Sequence, residues 1–452
     1  MRRLLPFLPA AVVAVTVIAL ILGSEPSPAA AADPPAGQAG QTGQTGKGPV
    51  VIDVSGPRRD LYKMAVPRLI GDPDTANLMT DAISGDLASS GWFKVLDPHS
   101  FLAHLETEGL GIQLQDWRNV GAEGVSKGRA VISAGELSVD FKLYELGRGA
   151  QPVLEKSYKG AANEARKFAH AWSAEVVKYM TGEDSFFDTQ IAFAAPSGAG
   201  TKDIFVMDYD GNGARRLTQN GSQNILPTWS PSGGQVAFTS FLRGNPDLYT
   251  VGLGGGRPRR IASYSGINIG ASYAPDGSRI AVTLSQDGNP EIYLLEATGK
   301  IIKRLTDNPF IDSSPNWSPD GNRIAFVSNR YGSPQVWVMG ADGSGQTRLT
   351  RRGNYNQEPA WCPRCPVPTV AFTARDERLN FDIFTIAVDS GELVRITENQ
   401  GQNEHATWAP TGRALAFASS RGGIWLSSPD GKVQRQLYHG NATTPAWGPA
   451  RH

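Results

Sequence analysis

An excess of charge of either sign is missing from this sequence. Lys plus Arg total 43, and so do Asp plus Glu. No global field therefore favours nucleic acid or an anionic membrane, and any partner has to be recognised by local shape and polar pattern. Charged residues make up only 19% of the chain, against 51 Gly and 31 Pro, a balance that suits many short strands joined by turns better than helical bundles or disorder. The six histidines (His99, His104, His170, His405, His439 and His452) show no metal-ligand spacing; only His405 falls on a loop expected near a functional mouth. Cysteine is nearly absent. Cys362 and Cys365 are the only two, and none follows the apolar run near the N-terminus, which excludes a lipid-anchored N-terminus.

That run is the one long hydrophobic stretch. Arg2 and Arg3 precede Leu4 to Leu22, and Ala29 to Ala32 satisfy the small-residue cleavage rule. The expectation is a signal peptide over residues 1–32 and a periplasmic protein; the alternative is an uncleaved membrane anchor. Residues 33–49, built from Gly, Gln, Thr and Pro, cannot bury a core and are expected to form a flexible linker.

From Val50 the pattern predicts a small α/β domain, residues 50–182. Short strands are expected at Val50 to Val54, Lys63 to Val66 and Phe93 to Leu96. One helix should span Thr75 to Ser90, capped by Asp74 or Thr75, and a second Pro98 to Glu108. Three further strands are expected at Ala130 to Glu136, Ser138 to Glu145 and Val153 to Lys159, followed by a long helix from Asn163 to Met180.

Beyond Phe186 repetition dominates. Trp229-Ser-Pro-Ser-Gly233 recurs as Tyr273-Ala-Pro-Asp-Gly277, Trp317-Ser-Pro-Asp-Gly321, Trp361-Cys-Pro-Arg-Cys365, Trp408-Ala-Pro-Thr-Gly412 and Trp447-Gly-Pro449, at spacings of 44, 44, 44, 47 and 39 residues. Apolar-Ala-apolar strands follow each full anchor, as at Val236 to Phe238, and repeats close on Arg-Leu-Thr, as at Arg216 to Thr218. Four short strands in about 44 residues is the size of a propeller blade. The first copy starts in mid-pattern at Ile191, and the last anchor lacks the strands that the other anchors lead into. The C-terminal strand should therefore pair with the strand at Ile191 and leave no open sheet edge. The predicted fold is an α/β N-terminal domain plus an all-β six-bladed β-propeller, residues 186–452, closed by the C-terminal strand.

Several chemical motifs compete with blander readings. Gly124-Val-Ser-Lys-Gly128 matches a nucleophile elbow, but its Ser precedes a strand instead of ending one, so a loop serine is expected. Asp208 to Gly213 resembles half a calcium loop, but Gln219 stands where the bidentate Glu belongs, and a hairpin turn is the better reading. Cys-x-x-Cys can be a redox centre, half a zinc site or a disulfide; with neither a helix opening nor further ligands nearby, and with the segment replacing a hairpin turn, a disulfide between Cys362 and Cys365 is expected. One constellation is left. Asn224, Asn268, Asp312, Asn356 and Asn403 stand five residues before the anchor aromatics, with Asn441 one place off. They either cap turns or ring one mouth of the channel, where with Gln357, Glu404 and His405 they would read a protein partner.

The signal peptide, the α/β domain ending at Thr181-Gly182, and Thr189-Gln-Ile-Ala-Phe193 opening six Trp-Ser-Pro-Asp-Gly repeats together resemble the TolB family of the Tol-Pal cell-envelope system. The resemblance implies a non-enzymatic, monomeric periplasmic protein without cofactor or metal. Such a protein binds the lipoprotein Pal at the propeller mouth and couples it to inner-membrane Tol proteins, serving outer-membrane integrity and constriction during cell division. It also implies a TolA-binding segment at Val50, Val51, Ile52, Asp53 and Val54, which here follows the added linker. Rival classes are an exported hydrolase-type propeller, which would need an elbow in context, and a glycan-binding propeller, which would need exposed aromatics at the mouth.

Overall fold

The computed structural model describes residues 61–101, 105–375 and 379–450. The expected signal peptide, the linker and the Val50 to Val54 segment lie outside the described residues.

The N-terminal domain is one mixed sheet covered by two long helices. Its strands are β1 (Tyr62–Ala65), β2 (Ile70–Gly71), β3 (Phe93–Val95), β4 (Gly124–Ser133), β5 (Glu136–Glu145) and β6 (Leu154–Ala161). The order is β3-β1-β4-β5-β6, with β2 also on β4; β1 runs parallel to both neighbours, and β4, β5 and β6 form an antiparallel meander. Helix α1 (Pro73–Ser89) begins at Asp72, whose carboxylate accepts from the Thr75 amide at 3.0 Å, so the cap lies two residues earlier than the sequence suggested, with Pro73 in the first turn. The expected helix from Pro98 to Glu108 is broken. A 3₁₀ turn at Pro98–Ser100 ends in extended Phe101, whose ring packs 5.2 Å from Trp117, and α2 (Leu105–Glu108) is a separate turn. Trp117 sits on α3 (Leu114–Asn119), a short helix too brief to leave a periodic signal. Helix α4 (Ala165–Thr181) stops at Gly182, left-handed at φ +73°.

The nucleophile-like motif is explained here. Gly124, Ser126 and Gly128 lie inside β4, not in a loop as expected, because this strand starts six residues earlier than its hydrophobic pattern implied. Ser126 is buried and accepts from the Trp172 indole at 2.8 Å, which orients the ring against Phe141, 5.0 Å away and parallel. A Cβ at Gly128 would stand 2.8 Å from the Phe141 ring, and one at Gly124 equally close to Tyr62. The glycines serve close packing, not a strained elbow.

The rest of the described chain forms six four-stranded antiparallel sheets. Blade I combines Thr443–Trp447 with Gln190–Gly198, Thr201–Asp208 and Arg215–Arg216, the C-terminal strand pairing Trp447 with Ile191. Blades II to VI start at Asn224, Asn268, Asp312, Asn356 and Asn403. The ring is closed as expected.

The anchor motif links neighbouring blades. Each anchor aromatic, Trp in five blades and Tyr273 in blade III, ends an innermost strand, and the turn glycine of blades II, III, IV and VI adopts positive φ, as Gly277 does at +71°. A Cβ at Gly277 would lie 3.7 Å from Pro231 of the preceding blade, and one at Gly321 would lie 3.6 Å from Pro275. Tryptophan indoles cross the seams too: Trp229 donates to Ala446 O at 2.9 Å, and Trp408 to Ala360 O at 3.1 Å. In blade V the glycine is replaced by Cys365, which is disulfide-bonded to Cys362 (Cα to Cα 5.7 Å). The disulfide turn packs against Gly412 of blade VI, where a Cβ would come within 2.8 Å of Cys362 Sγ.

The two domains share one apolar cluster that includes Val177 and Met180 of α4, Phe186, Phe187, Tyr209 and Trp447. Buried Asp86 of α1 accepts from the Tyr209 hydroxyl and pairs with His170 Nδ1 at 2.9 Å, while Asp210 takes Arg166. Asp210 belongs to the hairpin between the second and third sequence-ordered strands of blade I, where the Asp208 amide donates to Asn212 O at 2.8 Å. The calcium-like sequence is thus a turn that docks one domain on the other.

Candidate functional site at the channel

Each innermost strand carries the same irregularity. Pairing with the second strand slips between its second and fifth residues, as between Ile225 and Thr228, or Glu404 and Thr407. The residue at the third position has positive φ: Leu226 (52°), Gly270 (64°), Ser314 (53°), Glu358 (57°), His405 (57°) and Thr444 (51°). Left-handed backbone is unfavourable for side-chain-bearing residues, yet five of these six carry one. Four are followed by a proline, Pro227, Pro315, Pro359 or Pro445, which is compatible with a bulge on a strand whose free edge faces the channel.

The bulge separates two rings. The first-position ring holds Asn224, Asn268, Asp312, Asn356 and Asn403, and these side chains are 0–1% exposed. The expectation that they stand free at the mouth is therefore corrected. Each is tied into its surroundings. Asn224 donates to Asp203 at 3.0 Å, Asn356 to Gln335 at 2.8 Å and Asn403 to Asp382 at 3.2 Å; Asp312 takes Arg330 at 2.6 Å, and Asn268 exchanges hydrogen bonds with the Tyr264 backbone at 2.8 Å. The Arg-Leu-Thr endings, Arg395-Ile-Thr397 in blade V, join the same networks. Thr218 donates to Asp203 at 2.6 Å, Thr306 to Glu291 at 2.5 Å and Thr397 to Asp382 at 2.6 Å, with the Arg on the second carboxylate oxygen. Asn441 does not belong to the ring. Because Thr443 pairs with Ala194 where Ile225 pairs with Thr239, buried Ala442 holds the first position in blade I, and Asn441 beside it is exposed.

The second and third positions are half-buried and face the axis. All six innermost strands line one cavity of about 390 Å³, among them Ile269, Ser313, Gln357, Glu358, His405 and Thr444. His405 thus lies on a strand, not a loop, but at the channel as anticipated; Gln357 lines it too, whereas Glu404 stands beside it. Glu358 was not foreseen from the sequence. Its only sequence signal is its place immediately before Pro359.

Glu358 and His405 bring chemistry from two blades together. His405 Nε2 lies 3.1 Å from Glu358 Oε1; Glu358 Oε2 accepts from Thr373 Oγ1 at 2.8 Å and from the His405 amide at 2.9 Å. Burial raises the Glu358 carboxyl to about 7, partly offset by those two donors. Burial also raises Glu404, helped by Glu358, and lowers His405 despite the nearby Glu404 carboxylate. Burial thus disfavours the charged form of all three groups, and the quadrant is rich in hydrogen-bonding groups. Among the described residues, no three His, Cys, Asp or Glu side chains converge as metal ligands would, and no helix is long and apolar enough to cross a membrane.

Comparison with known proteins places this architecture. Residues 177–451 match the TolB beta propeller domain, and residues 50–152 match the TolB amino-terminal domain. Tol-Pal system protein TolB of Desulfosudis oleivorans is 37% identical over 169 residues, 37% of this chain and 38% of that protein. The same protein of Anaeromyxobacter dehalogenans is 39% identical over 180 residues, 39% of this chain and 41% of that one. The chain thus spans about two fifths of the length of the curated relatives it matches. The crystal structure of TolB from Acinetobacter baumannii superposes with a TM-score of 0.75 at 24% identity, covering 86% of this chain and 97% of its own, a likeness of fold.

Proposed function

The chain belongs to the TolB family, and from that premise we propose that it is a non-enzymatic periplasmic connector whose propeller mouth binds Pal. The observation that carries the reading is the division between the two rings. The repeated polar residues are consumed inside the blades, while the positions facing the axis vary from blade to blade: Ile269, Ser313, Gln357 and His405. A surface that reads one folded partner needs such variety, since an asymmetric partner meets a different blade at each point of the ring. The hydrogen-bonding groups around Glu358 suit recognition by hydrogen bonds and shape. A typical specific interface buries about 1,600 Å², with a few residues dominating the affinity.

The reading further assigns the segment Val50 to Val54 to TolA, with residues 33–49 as a tether that extends its reach, and places the protein in envelope integrity and constriction during division. A propeller hydrolase is disfavoured by the buried, strand-borne Ser126, which already accepts from Trp172. The test is titration of purified Pal into the intact protein, with thermal unfolding on the same samples. Ile269→Arg and Ser313→Arg should weaken binding about tenfold or more and leave the melt near wild type; unchanged affinity moves the Pal site away from the mouth. Removing residues 33–54 should abolish capture of TolA and spare Pal, and retained TolA capture would reject the assignment of Val50 to Val54 to TolA.

A further inference from the structure

Four of the six blades keep a rule that blade IV breaks; blade VI departs too, with Arg421 on Gln434. In blades I, II, III and V, an acid opens the strand after the apolar-Ala-apolar one, or lies near its start, and holds an arginine thirteen residues later. Asp203 takes Arg216, Asp247 takes Arg260 at 3.3 Å, Glu291 takes Arg304 at 3.1 Å and Asp382 takes Arg395 at 2.5 Å. Blade IV has Gln335 at that position. Its Oε1 accepts from Thr350 and Asn356 at 2.8 Å each, as the acid would, but its Nε2 turns away to Gly353 O at 3.2 Å. An amide nitrogen is a donor and cannot accept from guanidinium. Arg348 consequently has no carboxylate partner among the described residues. Its Nε donates to Thr350 O at 2.6 Å and its guanidinium lies 5.6 Å from the ring centre of exposed Tyr331.

Arg348 opens onto a groove between blades IV and V of about 1780 Å³, far larger than a single ion needs. Its apolar lining includes Leu349, Phe384 and Leu379, the last 58% exposed. Among the described residues, five arginines line it against two carboxylates, Asp389 and Glu392; Asp389 lies 3.8 Å from Arg323 and Arg375 lies 5.2 Å from the Tyr355 ring centre, so the excess rests on Arg348, Arg351 and Arg352. Arg351 and Arg352 are exposed and, among the described residues, pair with no acid. The chain as a whole is neutral, so this local excess is not a reflection of composition.

We infer that the groove between blades IV and V is a second docking site, which takes an acidic, partly apolar extended segment of a partner protein through Arg348, Arg351 and Arg352. Carboxylates of the segment supply what Gln335 withholds, and its apolar side chains cover Leu349 and Leu379. Charge complementarity selects an acidic peptide, and the apolar floor favours a peptide over a free inorganic anion.

The test is fluorescence anisotropy of a labelled octapeptide of alternating Glu and Leu, titrated with the intact protein. Gln-Leu and Lys-Leu octapeptides serve as controls, and inorganic phosphate and phosphatidylglycerol vesicles as competitors. The Glu-Leu peptide should bind and the controls should not, with affinity falling as salt rises from ~50 to ~200 mM. R351Q combined with R352Q should weaken binding about tenfold. Gln335→Glu, which offers Arg348 an internal carboxylate, should weaken it several-fold with an unchanged melt; Arg348→Gln reports on the same contact if that variant misfolds. Equal binding of the Gln-Leu peptide, wild-type affinity in the double variant, or displacement of the peptide by phosphate or vesicles at comparable concentration would overturn the assignment.

Discussion

Two rings lie two residues apart on the same innermost strands, and they obey opposite rules. The first-position ring is nearly uniform, Asn or Asp in five blades, and fully buried; the third-position ring holds Leu226, Gly270, Ser314, Glu358, His405 and Thr444 and lines the channel. In a repeat protein every blade solves the same packing problem, so chemistry that recurs reports the solution to that problem. Chemistry that varies at a fixed position is free to meet a partner. Uniformity here marks structure, and variation marks the surface available for function.

Deleting Thr443 onward breaks the comparison outright, because both rings depend on closure. That deletion removes the strand paired with Ala194, Ala192 and Ile191 and the Trp447 indole that donates to Thr189 at 2.8 Å. The propeller should lose its cooperative melt, which calorimetry would detect; an unchanged transition would mean that blade I stands without its innermost strand.

Within the buried ring, Asp382→Ala removes the one carboxylate that takes Arg395, Thr397 and Asn403 together. Loss of about 3 kcal/mol is expected, measured by denaturant unfolding, with partner affinity unchanged once folded protein concentration is matched. A loss below ~0.5 kcal/mol would show the network to be dispensable.

The disulfide in blade V closes a short loop, so its removal should cost about 2 kcal/mol. Free-thiol labelling of the unreduced protein should find no reactive cysteine, and reduction should lower the melting temperature slightly. Two labelled thiols in the native protein would contradict the bond.

The smallest effect sharpens the variable ring. Glu358 has a folded pKa raised by burial to about 7 against an ordinary value of 4.5, so between those limits the folded state binds more protons than the unfolded one. Stability from this group is greatest at low pH and declines as pH rises through about 7. Glu358→Gln should flatten the pH dependence of the melting temperature between about pH 5 and 8 by an amount equivalent to roughly 1–3 kcal/mol. Parallel curves for the two proteins would place the Glu358 carboxylate in water.

Much of this architecture was legible in the chain, because it is local and repeated. The anchor spacing counted the blades, the incomplete first and last copies identified the strand that closes the ring, and the cysteines in place of a turn indicated their bond. Each rests on short-range rules: Pro and Gly fix a turn wherever they stand in it. The helix from Pro98 to Glu108 failed for the opposite reason, since Phe101 leaves the helical path to reach Trp117, which sits in a helix too short to announce itself.

The number, order and closure of the blades were therefore determined by the sequence alone. Which polar residues face the channel and which lie inside the blades was decided by tertiary structure. Asn356 and Glu358 are two residues apart and of similar polarity, and strand alternation would place both on one face. Glu358 sits inside the bulge between Gln357 and Ala360, which turns it toward the axis, while Gln335 and the Arg352 carbonyl, brought in from elsewhere in the chain and from the preceding loop, hold Asn356 inside. Burial depends on those partners, and only the folded ring supplies them.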